Sequence, residues 1–176
     1  MPQTHGSGSG YVDASIVIPP AWEISDKLGV KRITNTANPS RSCNITNGNC
    51  VIYGGHNMEK IKQIPKEQYD IVLMFVGQDS AETRDRTLDF TGESNQKLKD
   101  FAENAKDKKK KTILVMQQGG ASAMGFWKKH CDAILVSFFG GEQWAPATFN
   151  ILYGYTNPSG KLPISMPETE KDQELT

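Results

Sequence analysis

The residues best suited to chemistry lie in one loop that follows a long apolar run. The run Tyr69–Gly77 ends at glycine, and residues 77–90 then contain four carboxylates and two arginines. A carboxylic acid can give a proton to a leaving oxygen, and arginines beside carboxylates suit hydrogen bonding to a ligand with many hydroxyls. The alternative is a solvated loop whose surface ion pairs contribute little. Composition alone leaves both interpretations open.

The elements that would position this loop alternate along the chain. Apolar runs predict strands at 30–33, 51–53, 69–77, 112–116 and 133–139. Helical spacing and end signals predict helices at 21–29, 95–106 and 145–152, with shorter turns at 58–63 and 126–129. This order predicts an α/β fold, a three-layer α/β/α sandwich with a mostly parallel sheet. Ligands then bind beyond the carboxyl ends of the strands, at 77–86, 117–124 and 140–144.

Charge and motif content argue against several other function classes. Twenty basic residues balance twenty acidic ones, so we expect no nucleic-acid partner and no membrane partner. No Gly-x-Gly-x-x-Gly follows a strand, and His5, His56 and His130 are scattered, so neither a cofactor nor a metal is predicted. The basic run 107–111 is interpreted as a solvated turn, because no second basic cluster in the sequence supports a binding patch.

The three cysteines are too few for a disulfide framework. Cys43 and Cys50 flank a polar loop, where they either pair or remain free thiols, whereas Cys131 adjoins an apolar strand and is predicted to be buried. The acceptor tripeptide Asn44-Ile45-Thr46 weakly favours a secreted or lysosomal/periplasmic-type compartment, and localisation otherwise stays open. Residues 1–13 are predicted to be an entry loop and 168–176 a polar tail.

Several short motifs together resemble one known family. Residues 5–12 resemble "GGGSGYV", 71–77 resemble "VVIVFVG", 82–90 resemble "E-T-EGYDR-SLDLP", 92–98 follow "G-NQ-LI", and 116–120 match "L-SGG". The end of the chain, 154–167, is similar to "GD-NPSGKLPVTFP". In this order and spacing the motifs resemble the second domain of family 3 glycoside hydrolases, the β-glucosidase family, from about residue 6 to residue 167.

The resemblance implies a retaining β-glycosidase that removes terminal non-reducing β-D-glucosyl residues from β-glucosides or oligosaccharides. In that family a barrel domain supplies the nucleophilic aspartate, and the second domain supplies the acid/base glutamate from this loop. By position, Glu82 is the candidate for the acid/base glutamate. Arg84 stands directly before Asp85, which shortens the family's motif. The aligned glutamate is therefore either Glu82 or a residue that this chain lacks. Asp85 and Arg86 match the "DR" and are predicted to orient the glutamate or bind sugar. Trp144 either stacks on a sugar ring or packs at a helix start.

The family's Ser-Asp-Trp nucleophile motif does not occur in residues 1–176. We therefore expect a single domain over 1–176, inactive alone, which needs a family 3 barrel domain in cis or in trans. An exposed apolar surface is expected where that barrel would dock. The alternative is a non-catalytic carbohydrate-binding or interaction domain that kept the fold.

Overall fold

Helices cover both faces of a parallel sheet in this protein. The structure is a computed structural model that describes residues 15–33, 50–52, 69–90, 93–107 and 109–172. Its elements are α1 (Pro20–Leu28), β1 (Lys31–Ile33), β2 (Cys50–Ile52), β3 (Ile71–Gln78), α2 (Glu93–Asp107), β4 (Lys111–Gln118), α3 (Gly125–His130), β5 (Ala133–Ser137), α4 (Trp144–Leu152) and a 3-10 helix (Glu170–Asp172).

The main sheet has the order β3-β4-β5, and both pairings are parallel. β4 is the central strand. Its residue Met116 is in register with Val76 of β3 on one side and with Val136 of β5 on the other. The central strand is buried along nearly its whole length, as its continuous apolar run predicts. β1 and β2 form a separate parallel pair. The predicted α/β fold is confirmed.

The two faces of the sheet have separate cores. On one face, Phe101, Ala102 and Ala105 of α2 pack with Trp127 of α3 against the strands. On the other face, Trp144 and Ala145 of α4 pack on Val115, with Phe75 and Leu135 beside them, and α1 lies against α4. Helices on both faces make the three layers.

Two helices end in the same hydrogen-bonded motif with different residues. After α1, Gly29 has φ +62°, and the amides of Gly29 and Val30 donate to the carbonyls of Asp26 and Ser25. After α2, Lys109 has φ +56°, and the amides of Lys109 and Lys110 donate to Lys106 and Ala105. Both ends are Schellman motifs, whose left-handed position favours glycine.

The predicted elements agree with the observed ones to within a few residues at each end. The closing role of Gly29 and the amphipathic helix over 95–106 are both confirmed. Cys131 is only half-buried, and burial together with the neighbouring Asp132 raises the pKa of its thiol to about 11. The helical turn at 58–63, Cys43 and the tripeptide 44–46 lie outside the described residues. None of the helices in the described ranges has the length and apolar character needed to cross a bilayer.

Candidate functional site

Glu82 lies at the tip of a tight turn just beyond the carboxyl end of β3. Ala81 and Arg84 form an isolated antiparallel bridge that closes the turn. Thr83, the residue after Glu82, has φ +63°, a left-handed conformation that a β-branched residue rarely adopts. Glu82 is exposed. The turn therefore presents this carboxyl group to solvent at the edge of the sheet where α/β folds bind ligands.

Arg86 ties this loop to the next strand end. Its Nε donates to Ser80 Oγ at 3.0 Å, and Nη1 donates to Gln78 Oε1 at 2.8 Å and to the Thr87 carbonyl at 3.2 Å. Nη2 donates to the carbonyl of Ala121 at 2.7 Å, in the loop after β4. Burial lowers the pKa of the Arg86 guanidinium, which nevertheless remains a cation. The cation is held in place by neutral oxygens at the base of the loop that displays Glu82.

The polar side chains of Gln78, Gln118 and Ser122 form a hydrogen-bonded network next to Arg86. Ser122 Oγ lies 2.8 Å from Gln118 Oε1 and 3.2 Å from Gln78 Oε1, so its single proton has two acceptors. Gln78 Nε2 donates to the carbonyls of Thr87 and Asp89 at 2.9 and 3.3 Å, which leaves its Oε1 for Arg86. Gln118 and Ser122 are fully buried. This network fixes the course of residues 86–90.

Glycines allow the two loops to approach this closely. A Cβ on Gly119 would lie 2.7 Å from Ser80 Cβ and 3.0 Å from a ring carbon of Phe139. A Cβ on Gly120 would lie 3.1 Å from Arg86 Nη2. The Gly-Gly pair that ends β4 is therefore a packing requirement, because side chains there would push the loop after β3 outward.

Asp85 and Arg84 lie on the outer side of the same loop. Both side chains are exposed, and Arg84 Nη2 lies 3.2 Å from Asp79 Oδ2. A surface ion pair of this kind contributes little to stability. Asp85 stands between the displayed Glu82 and the anchored Arg86, on the solvent side of the edge. The structure thus brings Glu82, Asp85 and Arg86 into one loop.

Trp144 lies apart from that loop, in the core on the other face of the sheet. It is 6% exposed, and its Nε1 donates to Ser137 Oγ at 2.6 Å. Its ring meets Phe75 edge to face with centroids 6.1 Å apart. A Cβ on Gly140 would lie 2.8 Å from Trp144 Cδ1. Two roles were open to Trp144, packing at a helix start and stacking on a sugar ring. The structure shows the packing contacts, and the ring is not exposed for stacking.

Glu142, at the carboxyl edge near β5, fastens the start of the described chain. Its Oε1 accepts hydrogen bonds from the amide and hydroxyl of Ser15, the latter at 2.7 Å, and from the amide of Ile16 at 3.4 Å. The hydroxyl and amide of Ser15 lower the pKa of the Glu142 carboxyl. Glu142 is therefore suited to anchoring as a carboxylate and poorly suited to carrying the proton that a general acid donates.

The last described residues lie across the start of α3. The amides of Met124 and Gly125 donate to the carbonyls of Pro167 and Glu168 at 2.8 and 2.9 Å. Lys128 also pairs with the Glu168 carboxylate. Glu170 Oε1 accepts from the amide of Leu88 at 3.4 Å. The segment that was predicted to be a polar tail is, as far as residue 172, docked beside the loop after β3.

Sequence analysis missed the glutamines of the supporting network. Gln78 and Gln118 are in register at the ends of neighbouring strands. Each of these glutamines follows an apolar run that predicts a strand. This shared position is the sequence signal that could have indicated the two glutamines. Within the described residues, no three His, Cys, Asp or Glu side chains lie together in a way that would hold a metal ion.

Comparisons with known proteins agree with one another. The family model described as "Glycosyl hydrolase family 3 C-terminal domain" matches residues 1–176. The chain is 31% identical over 103 residues to a periplasmic beta-glucosidase of Salmonella typhimurium, covering 58% of this chain and 14% of that protein. It is 32% identical over 102 residues to an exo-alpha-(1->6)-L-arabinopyranosidase of Bifidobacterium longum, covering 56% of this chain and 13% of that protein.

The fold is similar to that of a much longer solved structure. The structure of beta-glucosidase 3B from Thermotoga neapolitana in complex with glucose matches 97% of this chain with a TM-score of 0.73 and 19% identity. The chain covers 26% of that structure. At this identity the likeness establishes the fold only, and the chain spans a small part of every relative named here.

Proposed function

The chain belongs to glycosyl hydrolase family 3 as its C-terminal domain, and from this premise we propose that it forms the acid/base side of a retaining β-glucosidase-type active site. In this proposal Glu82 protonates the leaving oxygen and then deprotonates the attacking water. The nucleophilic carboxylate comes from a barrel domain, without which the chain is inactive. The substrates are terminal non-reducing β-D-glucosides.

The observation that best supports the proposal is the turn that displays Glu82. Counting back from Asp85-Arg86 along the family's "EGYDR" places Arg84 at the tyrosine, Thr83 at the glycine and Glu82 at the glutamate. Thr83 has φ +63°, the conformation that a glycine in that position would adopt without strain. In this register the loop has full length. The backbone therefore supports Glu82, rather than a missing residue, as the aligned glutamate.

The contacts of Glu142 argue against this residue as the general acid. A general acid must hold its proton until the leaving oxygen needs it, so its carboxyl group must not be stabilised as the anion. The pKa of Glu142 is lowered by its contacts with Ser15. Glu82 lies on the loop that Arg86 anchors. We assign Arg86 to positioning that loop and Asp85 to hydrogen bonding with sugar hydroxyls.

Exposed apolar side chains near both ends of the described chain support a neighbouring barrel domain. Ser15 and Ile16 are held by Glu142 at the carboxyl edge of the sheet. Among the described residues, six of the eight large apolar side chains that are exposed lie in the segments 16–17 and 153–164, for example Ile16 at 63% and Tyr155 at 74%. Such side chains suit burial against another domain.

The test is complementation with a separately expressed family 3 barrel domain. The chain is assayed for hydrolysis of an aryl β-glucoside alone, mixed with the barrel, and fused behind it. We expect activity only with the barrel, and a loss of about 10²-fold to 10⁴-fold in Glu82→Gln, the usual contribution of a general acid.

Glu103→Gln is the matched control, because Glu103 is an exposed glutamate on α2, away from the loop. It should keep full activity. A folded complex of chain and barrel that is inactive, or a Glu82→Gln complex as active as the Glu103→Gln complex, would contradict the proposal. Sugar binding by the chain alone that survives Glu82→Gln would instead favour a non-catalytic binding module.

A further inference from the structure

A basic pocket lies at the edge of the sheet opposite to Glu82. The pocket has a volume of about 310 Å³ and opens at the amino end of β4, where α2 and α3 both finish. Its lining residues are Lys106, Lys109, Lys110, Lys111, Lys129, His130, Cys131 and Asp132. β4 has eight residues, so the pocket lies roughly 23 Å from the opposite edge.

The fold joins two basic runs that are separate in sequence. The first lies after α2, between 106 and 111, and the second is Lys129-His130 at the end of α3. In the sequence alone, no second basic cluster accompanies the first run, so the sequence predicts only a solvated turn there. In three dimensions the second cluster is present. Five lysines line the pocket against one carboxylate, Asp132.

Three of the five lysines have partners within the fold. Lys111 Nζ lies 2.7 Å from Asp132 Oδ1, Lys106 donates to the carbonyl of Lys129, and Lys110 Nζ lies 5.3 Å from the centre of the Tyr69 ring. In the described part of the chain, the ammonium groups of Lys109 and Lys129 have neither an ion pair nor a hydrogen-bond acceptor. The side chains of both residues are exposed. These two cations are available to a ligand.

Helix ends do not account for all of this positive charge. A helix C-terminus is equivalent to roughly half a negative charge, so two of them offset about one lysine. One more lysine is balanced by Asp132. The thiol of Cys131 adds no negative charge at neutral pH, since its pKa is about 11. Positive charge is therefore left over in a concave site, where low-dielectric walls strengthen the field on an anion.

We propose that this pocket binds a small multivalent oxyanion of the phosphate or sulfate type, with Lys109 and Lys129 as the principal ligands. Lysine ammonium groups bind such anions as point charges with several donors each. The site is independent of the proposed sugar chemistry, because it lies at the far edge of the sheet. An occupied pocket would also join the end of α2 to the end of α3 and so stabilise the domain.

The test is calorimetric titration of the 176-residue chain with pyrophosphate and with sulfate, at constant ionic strength. We expect saturable binding, tighter for pyrophosphate because it has the higher charge, and a rise in Tm with pyrophosphate concentration. Lys109→Ala/Lys129→Ala should weaken binding by about tenfold, since two partly exposed charged contacts are removed.

The matched control is Lys161→Ala/Lys171→Ala, which removes two exposed lysines outside the pocket. Circular dichroism establishes that both double variants are folded, so that a loss of affinity reports the pocket. We expect the control to bind pyrophosphate as the parent chain does. Absence of saturable binding, or equal affinities for the two double variants, would overturn the proposal.

Discussion

Replacing Arg86 with methionine tests the anchoring of the loop that displays Glu82. Methionine keeps an unbranched apolar stem but removes all of the guanidinium donors. The contacts to Gln78 Oε1 and the Thr87 carbonyl are partly replaceable, because Ser122 lies 3.2 Å from the former and Gln78 Nε2 already donates to the latter. The contacts to Ser80 Oγ at 3.0 Å and the Ala121 carbonyl at 2.7 Å have no such replacement.

The expected cost follows from those two contacts. A hydrogen bond to a charged group contributes about 1.5–3 kcal/mol, and because Arg86 is only partly buried we assign about 1 kcal/mol to each of the two contacts. We expect Arg86→Met to lower the free energy of unfolding by about 2 kcal/mol. For a chain of this size that corresponds to a fall in Tm of about 4–8 °C.

The assay is urea denaturation of Arg86→Met beside Arg84→Met. Arg84 is a matched control two residues away, whose side chain forms an exposed ion pair with Asp79. Its replacement should cost less than about 0.5 kcal/mol, in the usual range for a surface pair. Equal unfolding free energies for the two variants would refute the reasoning, because they would show that the guanidinium network contributes no more than a surface contact.

Four further substitutions test other parts of the structure. Lys109→Gly should raise the unfolding free energy by about 0.5–1 kcal/mol in urea denaturation, since φ +56° suits glycine, whereas Gly29→Ala at the equivalent position should lower it by about 1 kcal/mol. Gly119→Ala should lower Tm in a melting scan, because its Cβ would lie 2.7 Å from Ser80 Cβ, and an unchanged Tm would show that the two loops can separate freely. The pKa of Asp132 is lowered chiefly by the hydrogen bond from Lys111, so its stabilising effect is present above the carboxyl's ordinary pKa and is lost as pH falls through the lowered value. Asp132→Asn should therefore be less stable than the parent at pH 7, with the difference disappearing in acid; a difference independent of pH would contradict this assignment.

The sheet and its helices could be predicted because their residues have local signals. The apolar run that became β4 is buried, and Gly29 has the left-handed φ that its position after a helix indicated. Tertiary packing buries Trp144, and a lone tryptophan at a helix start does not reveal that burial. The hydrogen bond from Ser122 to Gln78 joins residues that are 44 positions apart in the sequence, so no local sequence pattern predicts it. The basic pocket likewise depends on two helix ends that meet only in the fold.

Glu82 is a candidate because of a sequence motif, and the backbone supports one register of that motif. The sequence alone leaves two alternatives for the aligned glutamate, Glu82 or a residue that this chain lacks. The positive φ of Thr83 supports a full-length loop in which threonine occupies a glycine position. Such information is absent from the sequence, because residue type alone does not report backbone conformation.

The measurement that tests the central claim most directly is azide rescue of Glu82→Ala in the complex of this chain with a family 3 barrel domain. With 2,4-dinitrophenyl β-glucoside, whose leaving group needs no protonation, the variant should form the glycosyl-enzyme and then stall, because the base for the attacking water is gone. Azide, which needs no base, should restore turnover and give β-glucosyl azide, while methyl β-glucoside should remain uncleaved. A Glu82→Ala complex that cleaves both substrates like the parent, or that azide does not accelerate, would contradict Glu82 as the acid/base residue.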